Sequence, residues 1–557
     1  MIEPVWTALA AALASAGCQA VFGLPSDDPG LLDAADRHDL LRTVLVRDQR
    51  VAACAAAGHA AVSRSPAVLA VTSGPSVVNA LTGLLEAASM AVPIVVVTTR
   101  IGSREIGRGG FQEVDQEAMA GPLLKWHTLV EGAEQVPWAV RRAVHLALNG
   151  RPGLTMLVVA AERREPDTDH PQDAGGRPRR LRSVPEPADL DHAAGLLRRA
   201  QAPVVLAGGG TRWGDAGRAV ERLAEAVVAP IFTTGSGRGS VDETHPLTMG
   251  LAGLYATPPA TELLEGCDLL LAVGTRLEET VRTGWEAFAR VPIVHVDQDH
   301  AAFDTARTSD HRLLGDAELV CAELAARLRD RPPDPARARE RGERIGALRG
   351  RLLTEAAGDV TGSPVRRALA CLGDVLDDDA IIVQENGLHD MWSYHFPLLT
   401  VRRGMSVVTP GEQTMMGFGV AASVGAASCV PHRQVVVLAG DGAVSLSMNA
   451  LATMGDLRLG VVIVVFDNQG FGWPRHLRRL DGAPAHLTRF RAPLPVAELA
   501  RAFGGWSATP ATEAETKEAL RTACEVAKTG QPALVRIAVP DDDVPAGVDR
   551  VFSGPGH

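Results

Sequence analysis

Cysteine is scarce and never paired: seven residues in 557 (Cys18, Cys54, Cys267, Cys321, Cys371, Cys429 and Cys524), with no CxxC. That scatter excludes a disulfide framework and a cysteine zinc site, and it fits a reducing compartment. Basic residues are outnumbered by acidic ones, for a net charge of −11, so there is no cationic footprint for nucleic acid or an anionic membrane. No apolar run reaches the ~18 residues that a membrane span needs. The opening MIEPVWTALAAALASAGC lacks a basic leader and carries Glu3, the pattern of an amphipathic first helix and not of a signal peptide. Cytoplasm is the expected location.

What is present is a soluble globular composition, 46% hydrophobic and 22% charged. The chain is too long for one core, and roughly three to four domains are expected. Its organising stretch is VVVLAGDGAVSLSMNALATMGDLRLGVVIVVFDNQGFGW, from Val435 to Trp473. Val435–Leu438 reads as a buried strand that breaks at Gly440-Asp441-Gly442. Val444, Met448, Leu451 and Met454 then recur at the spacing of a helix face, and a second buried strand, Val461–Phe466, ends at Asp467-Asn468-Gln469-Gly470. This order predicts two parallel strands with the helix crossing over. Asp441 and Asn468, 27 positions apart, are thereby placed side by side at the carboxyl ends of neighbouring strands, where open α/β sheets bind ligands. A carboxylate and an amide oxygen suit a hard cation such as Mg²⁺, which keeps phosphate oxygens among its ligands. The glycines admit close backbone approach, and the helix starting near Ala443 points its positive end at the place for a diphosphate.

Upstream, a helix over Val5–Ala16 leads to a strand at Ala20–Gly23 and a turn-rich loop, Leu24–Gly30. Further buried strands are predicted at Thr43–Val46, Ala67–Thr72, Pro93–Thr98 and Leu154–Val159, an alternation that predicts a parallel α/β sheet. Residues 163–187 are charged, proline-rich and aperiodic, and read as a linker. A second unit has predicted strands at Pro203–Leu206, Pro230–Thr233, Leu269–Val273 and Ile293–Val296, followed by turns that include Gly208-Gly209-Gly210 and Gly274-Thr275-Arg276. Residues 331–360 form an Arg- and Pro-rich, then helical, connector. The third unit holds the organising stretch and closes on a strand at Ala533–Ile537. The fold class is α/β, with three doubly wound parallel-sheet domains.

The Gly440-Asp441-Gly442…Asn468 pattern resembles the thiamine-diphosphate signature of the acetolactate synthase-like superfamily. The resemblance covers nearly the whole chain. In the first unit it is carried by VFGLP (21–25), TSGPSVVNALTGLLEA (72–87), VPIVVVT (92–98) and FQEVDQ (111–116). In the second the segments are PVVLAGGG (203–210), DLLLAVGTR (268–276) and IVHVDQD (293–299), and in the third ENGLHDMW (385–392) and MGFGVAASVGAA (416–427). It implies a pyrimidine-binding domain over 1–162, a central domain over 188–330 and a diphosphate-binding domain over 362–540. The implied enzyme depends on thiamine diphosphate and Mg²⁺ and makes or breaks a C–C bond beside the carbonyl of a 2-oxo acid or related donor. By the same resemblance, Asp441, Asn468 and the backbone carbonyl of Gly470 hold Mg²⁺. Gly387, Leu388 and His389 clasp the diphosphate together with Gly440, Gly442 and Ala443. Met416 wedges under the bent cofactor, and the carbonyl of Thr414, where the family prefers glycine, accepts from its 4′-amino group. The cofactor then lies between the first domain of one subunit and the last domain of another, which implies a homodimer or homotetramer.

Two departures set this chain apart. The family's activating glutamate, in the pattern RHEQ, falls on Gln49 of Arg47-Asp48-Gln49-Arg50. A neutral amide can hydrogen-bond the pyrimidine N1′ but brings no negative charge to stabilise the protonated ring, so activation is expected to be weaker. Three readings stay open. Gln49 suffices for a reaction that needs modest activation; or Asp48 takes the role, although on a helix it points about 100° away and suits the N-cap; or the protein binds cofactor with little catalysis. The second departure is Pro25-Ser26-Asp27-Asp28, where synthases carry Pro-Gly-Gly facing the reactive carbon. Its hydroxyl and carboxylates either contact substrate or face solvent. Phe111 and Gln112 fall where the family lines the substrate, with Gln112 the second candidate catalytic residue. Trp473 and Pro474 occupy the apolar pocket position, which suggests an acceptor other than pyruvate or 2-ketobutyrate. The basic, turn-rich segment 474–491 reads as a mobile lid over the site. The glycine clusters at 208–210 and 274–276 are compatible with FAD in the central domain. Many relatives keep that domain without flavin, and the flavin-free carboligase is the preferred reading, with a flavin-linked 2-oxo acid oxidase as an alternative.

Overall fold

Most of the strands are short runs of Val, Ile, Leu and Ala that are buried on both faces, such as AVLAV at 67–71 and VVIVVFD at 461–467. Runs of this kind need helices on both sides and favour parallel sheets. The computed structural model describes residues 4–27, 29–160, 176–358, 362–545 and 548, and in it these runs build three six-stranded, wholly parallel sheets. The first contains β1 (Ala20–Gly23), β2 (Arg42–Leu45), β3 (Ala67–Val71), β4 (Ile94–Arg100), β5 (Leu124–Val130) and β6 (Leu154–Ala160), in the order β2-β1-β3-β4-β6-β5. The second contains β7 (Pro203–Ala207), β8 (Ile231–Thr233), β9 (Thr248–Leu251), β10 (Leu269–Val273), β11 (Ile293–Asp297) and β12 (His311–Leu314), in the order β12-β11-β10-β7-β8-β9. The third contains β13 (Ile381–Gln384), β14 (Ser406–Val408), β15 (Val435–Gly440), β16 (Val461–Asp467), β17 (Trp506–Ala508) and β18 (Ala533–Ala538), in the order β14-β13-β15-β16-β18-β17.

The first and third sheets thus share one strand order, while the second has the dinucleotide-fold order. The direction of winding reverses between β1 and β3, between β7 and β10, and between β13 and β15; the first and third sheets reverse again at the edge, where β6 and β18 step back inside β5 and β17. Loops leaving the two strands at such a reversal diverge, and the crevice between them is where α/β folds bind ligands.

All the strands expected from apolar runs are present, each within two residues of its predicted ends. Six were not anticipated: β5, β9, β12, β13, β14 and β17. The organising helix starts at Asp441, two residues before the expected Ala443, with Gly440 as N-cap. Of the expected linker, residues 163–175 lie outside the described residues; 176–186 have no regular structure, and a helix begins at Pro187. The connector carries a 22-residue helix, Pro335–Ala356. Among the described residues, no helix is long and apolar enough to cross a membrane.

The first and third domains are joined by the helices Gln49–Ser63 and Phe418–Cys429, each of which follows the second strand of its own sheet. Both are rich in alanine and glycine, so their backbones pack almost directly on each other. A Cβ at Gly58 would lie 2.1 Å from the Ala422 carbonyl oxygen, and one at Gly425 would lie 1.7 Å from the Ala55 carbonyl oxygen. The contact is reciprocal, and it merges the two domains into one apolar core that runs through Ala52–Ala57 and Val420–Ala427. His59 sits in this contact, 2% exposed, edge-on to Phe22, with neither ring nitrogen hydrogen-bonded among the described residues. Burial, then the nearby Arg42, pushes its pKa down to about 4.

Two outcomes are expected. Gly425→Ala forces a methyl into a carbonyl and should cost ~3 kcal/mol or more in a denaturation experiment, beyond the usual overpacking range of ~1–3 kcal/mol. Because folded His59 stays neutral down to about pH 4 while its ordinary value is 6.5, the unfolded chain binds the extra proton between those limits. Stability should therefore fall as pH drops from 6.5 to 4, by up to ~3 kcal/mol from this group. His59→Phe should flatten that part of the profile.

Candidate functional site

The crevice at the β13/β15 reversal gathers most of the residues singled out from sequence. Gly387, Leu388 and His389 come from the loop after β13, Gly440, Asp441, Gly442 and Ala443 from the end of β15, and Asn468, Gly470, Trp473 and Pro474 from beyond β16, with Met416 closing one side. Asp441 is 1% exposed, opens its helix, and accepts from the Gly470 amide at 2.9 Å. Asp467 lies beside it, 2% exposed, accepting from the Gln469 amide at 2.9 Å and from Arg536 Nε at 2.6 Å. Burial and then the Asp467 carboxylate push the Asp441 pKa up from the usual carboxylate range. The Asn468 Oδ1 atom is buried without a hydrogen-bond partner among the described residues. Repelling carboxylates and an orphaned amide oxygen at one place are what a divalent cation would relieve, so the donor set fits Mg²⁺.

The walls are fixed by short-range contacts. His389 is buried, stacks on Phe466, and makes a 3.1 Å bond from Nε2 to the Leu438 carbonyl. Burial pushes its pKa down to about 4, so the ring is neutral, with its proton on Nε2. A side chain at Gly387 would meet that ring at 2.9 Å, and one at Gly442 would meet Phe471 at 3.1 Å. Gly417, at φ 85, turns the chain beneath Met416, and the buried Glu385 carboxylate holds this turn by accepting from the Gly417 amide at 3.1 Å and the Gly419 amide at 2.7 Å. Thr414 lines the adjoining crevice with Asn386, not the Asp441 crevice itself. Its φ is 45, a strained value for a β-branched residue, worth ~1–3 kcal/mol, and its carbonyl accepts from Asn386 Nδ2 at 3.2 Å.

The remaining sequence candidates lie elsewhere in the chain. Ser26, Asp27, Phe111 and Gln112 line the crevice at the β1/β3 reversal; Asp28 lies outside the described residues. Gln112 takes φ 61 and Phe111 is 85% exposed. Gln49 is the first residue of its helix, lines neither crevice, and accepts from Asn79 Nδ2 at 2.7 Å through Oε1. Asp48 is the N-cap, accepting from the Arg50 and Val51 amides at 2.8 and 3.2 Å. Its carboxylate is committed to the helix end. Within one chain the two crevices have no lining residue in common.

Sequence reasoning missed Glu385 and Arg475. Arg475 is 1% exposed and donates to the carbonyls of Asn468 at 3.0 Å, Gln469 at 3.1 Å and Thr488 at 3.2 Å, while pairing with Asp541. It thereby ties the loop carrying Asn468 to segment 474–491, which starts as a helix (Gly472–Leu480) and returns to bridge Gly470 through Arg489. A buried arginine whose partners are mostly backbone carbonyls has no periodic signature.

At the β7/β10 reversal of the central sheet lies a third crevice, lined by Arg64, Arg151, Arg180, Arg212 and Arg276. The glycines there have a packing reason of their own: the Gly210 amide donates to the Gly274 carbonyl at 2.9 Å, and a Cβ on Gly274 would lie 2.8 Å from the Gly210 Cα.

Three family profiles match the chain in order: thiamine pyrophosphate enzyme, N-terminal TPP binding domain, over residues 5–119; its central domain over 190–324; and its C-terminal TPP binding domain over 385–537. The chain is 30% identical to a probable acetolactate synthase large subunit of Methanocaldococcus jannaschii, over 84% of this chain and 80% of that protein. It is 29% identical to acetolactate synthase of Mycobacterium bovis, over 83% and 76% of the two chains. It is 28% identical to acetolactate synthase 3, chloroplastic, of Brassica napus, over 99% and 87%.

If the paired carboxylates are a cost carried for a cation, Asp441→Asn should stabilise the cofactor-free protein. A gain of ~1–2 kcal/mol in chemical denaturation, the scale of one relieved like-charge contact, is expected; a loss would show that the Asp441–Gly470 bond outweighs the repulsion.

Proposed function

The chain belongs to the thiamine pyrophosphate enzyme family, and from that premise we propose an acetolactate synthase-like carboligase, dependent on Mg²⁺, that decarboxylates a 2-oxo acid or related donor and passes the acyl unit to an acceptor. The observation that carries this reading is the Asp441–Asn468 pair, a repelled carboxylate beside an orphaned amide oxygen at the mouth of a glycine-lined crevice. Thiamine diphosphate, when bound, supplies an acidic C2 and a thiazolium electron sink for decarboxylation and C–C bond formation. Asp441, Asn468 and the Gly470 carbonyl hold the cation. The Gly387–His389 and Gly440–Ala443 backbones receive the diphosphate at a helix N-terminus. Met416 would support the cofactor with a soft thioether, and the Thr414 carbonyl would accept from its 4′-amino group.

Gln49 serves N1′. With its Oε1 engaged by Asn79, the group it offers is the Nε2–H donor, which can locate N1′ but cannot protonate it. The commitment of Asp48 to the helix cap leaves Gln49 as the better candidate of the two. Ser26, Asp27, Phe111, Gln112, Trp473 and Pro474 shape the substrate side. What supports a homodimer or homotetramer is the separation of the two crevices within one chain and the exposure of Phe111: a partner's first domain completes the Asp441 crevice, and a partner's last domain covers the Phe111 ring.

The arginine-lined crevice of the central domain supports a second reading, in which a nucleotide such as FAD is held there for a flavin-linked reaction. A purified preparation with flavin absorbance would favour it or a flavin-bearing true synthase; a colourless one favours the flavin-free carboligase.

The deciding experiment is hydrogen–deuterium exchange at C2 of bound thiamine diphosphate. Native protein should exchange faster than free cofactor, and Gln49→Glu should raise the rate further, by at least ~10-fold, since a carboxylate stabilises the protonated pyrimidine. Native exchange no faster than free cofactor, restored by the glutamate, would replace the carboligase with a cofactor-binding protein of little catalysis.

A further inference from the structure

Glu86 is fully buried on the Pro75–Ser89 helix of the first domain, and its carboxylate reaches into the third. One oxygen accepts from the Gly411 amide at 2.5 Å and the other from the Met415 amide at 2.7 Å. No ion pair to Glu86 occurs among the described residues; backbone N–H groups alone compensate it. Such a group is costly to bury unless both oxygens are satisfied, and the two donors bracket Thr414. That residue holds the left-handed φ of 45 that a threonine does not adopt by preference. Nothing in the local sequence supplies this conformation. The ends of segment 411–415 are pinned by one rigid carboxylate, and the carbonyl between them is steadied by Asn386.

We propose that Glu86 is the positioning residue that holds the Thr414 carbonyl in place to receive the cofactor's 4′-amino group. The proposal rests on the cofactor site described above. It also gives the Pro75–Ser89 helix two duties. Near its start Asn79 holds Gln49, and two turns later Glu86 holds the loop that carries Thr414. In an oligomer whose sites lie between subunits, Gln49 and Thr414 of one chain serve different sites, so one helix fixes a residue in each.

A glutamine at position 86 has the same shape but must turn an N–H toward one of the two amide donors, losing a bond and adding a repulsion. In full-length cofactor-free protein, Glu86→Gln should raise amide hydrogen exchange at Gly411 and Met415 by ~100-fold or more. In the loaded protein it should slow C2 exchange by ~10-fold or more. Adding Thr414→Gly should restore C2 exchange, because glycine takes a positive φ unaided, while the two amides stay unprotected. Glu86→Asp, which keeps the charge but is one methylene shorter, serves if the glutamine variant does not fold, and should deprotect at least one of the two amides. Unchanged amide protection in these variants would overturn the proposal, and so would a C2 defect that Thr414→Gly fails to rescue, since a merely structural role predicts no such rescue. If native protein itself does not accelerate C2 exchange, the cofactor reading falls, and amide protection in the cofactor-free protein then decides whether Glu86 holds the loop.

Discussion

The close crossing of the Gln49–Ser63 and Phe418–Cys429 helices is the constraint on which the rest of the molecule depends. Each helix places a glycine against a carbonyl of the other, and no side chain fits between. This fixes the distance and angle between the first and third domains. It also fixes where Gln49 and Met416 stand, because one begins the first helix and the other lies two residues before the second. With equal strand order in both sheets, the contact relates the two domains by an approximate two-fold. Corresponding corners of one architecture have taken different tasks: one offers an amide side chain at a helix start, the other a thioether and a backbone carbonyl.

Charge is buried at these corners only where the backbone can answer it. Glu385 caps the Phe418 helix, Glu86 pins the segment before it, and Arg475 satisfies three carbonyls beside Asn468. Asp441 and Asn468 are the exception, incompletely satisfied by the protein itself. Three ordered carboxylate or guanidinium clamps surrounding one under-compensated pair describe a site whose frame is set before its ligand arrives, which lowers the ordering cost of binding.

The core of the third domain was legible in the sequence because its strands are continuous apolar runs and its site residues follow them directly. Asp441 and Asn468 could be paired from spacing alone. Of the six strands that went unanticipated, β13 is a short central run, IIVQ, that passes that test, whereas the five edge strands fail it in different ways. β5 alternates charged, aromatic and polar residues as LKWHTLV, β14 and β17 have three residues each, and β12 mixes His and Arg with leucine. Edge position and brevity weaken the apolar signal that reveals a buried strand. Glu86 and Arg475 were illegible for another reason. The partners of Glu86 lie 325 or more positions away, those of Arg475 are backbone carbonyls 6 to 13 positions away and one carboxylate 66 away, and nothing local distinguishes a carboxylate or guanidinium that will be buried from one that faces water. Asp48, by contrast, announced itself as an N-cap by residue type and position.

The placement of the three crevices at winding reversals has a practical meaning for anyone wishing to redirect the chemistry. Residues 26, 27 and 112 sit on loops beyond strand ends, and 473 and 474 lie in the first turn of the helix Gly472–Leu480; under the proposed function, these are the positions at which a combinatorial library would probe substrate preference. The alanine- and glycine-rich stripes at 52–60 and 419–427 permit no such freedom. Selection for new substrates would leave those stripes untouched while the loops drift, and the boundary between the two regimes falls at the ends of the strands.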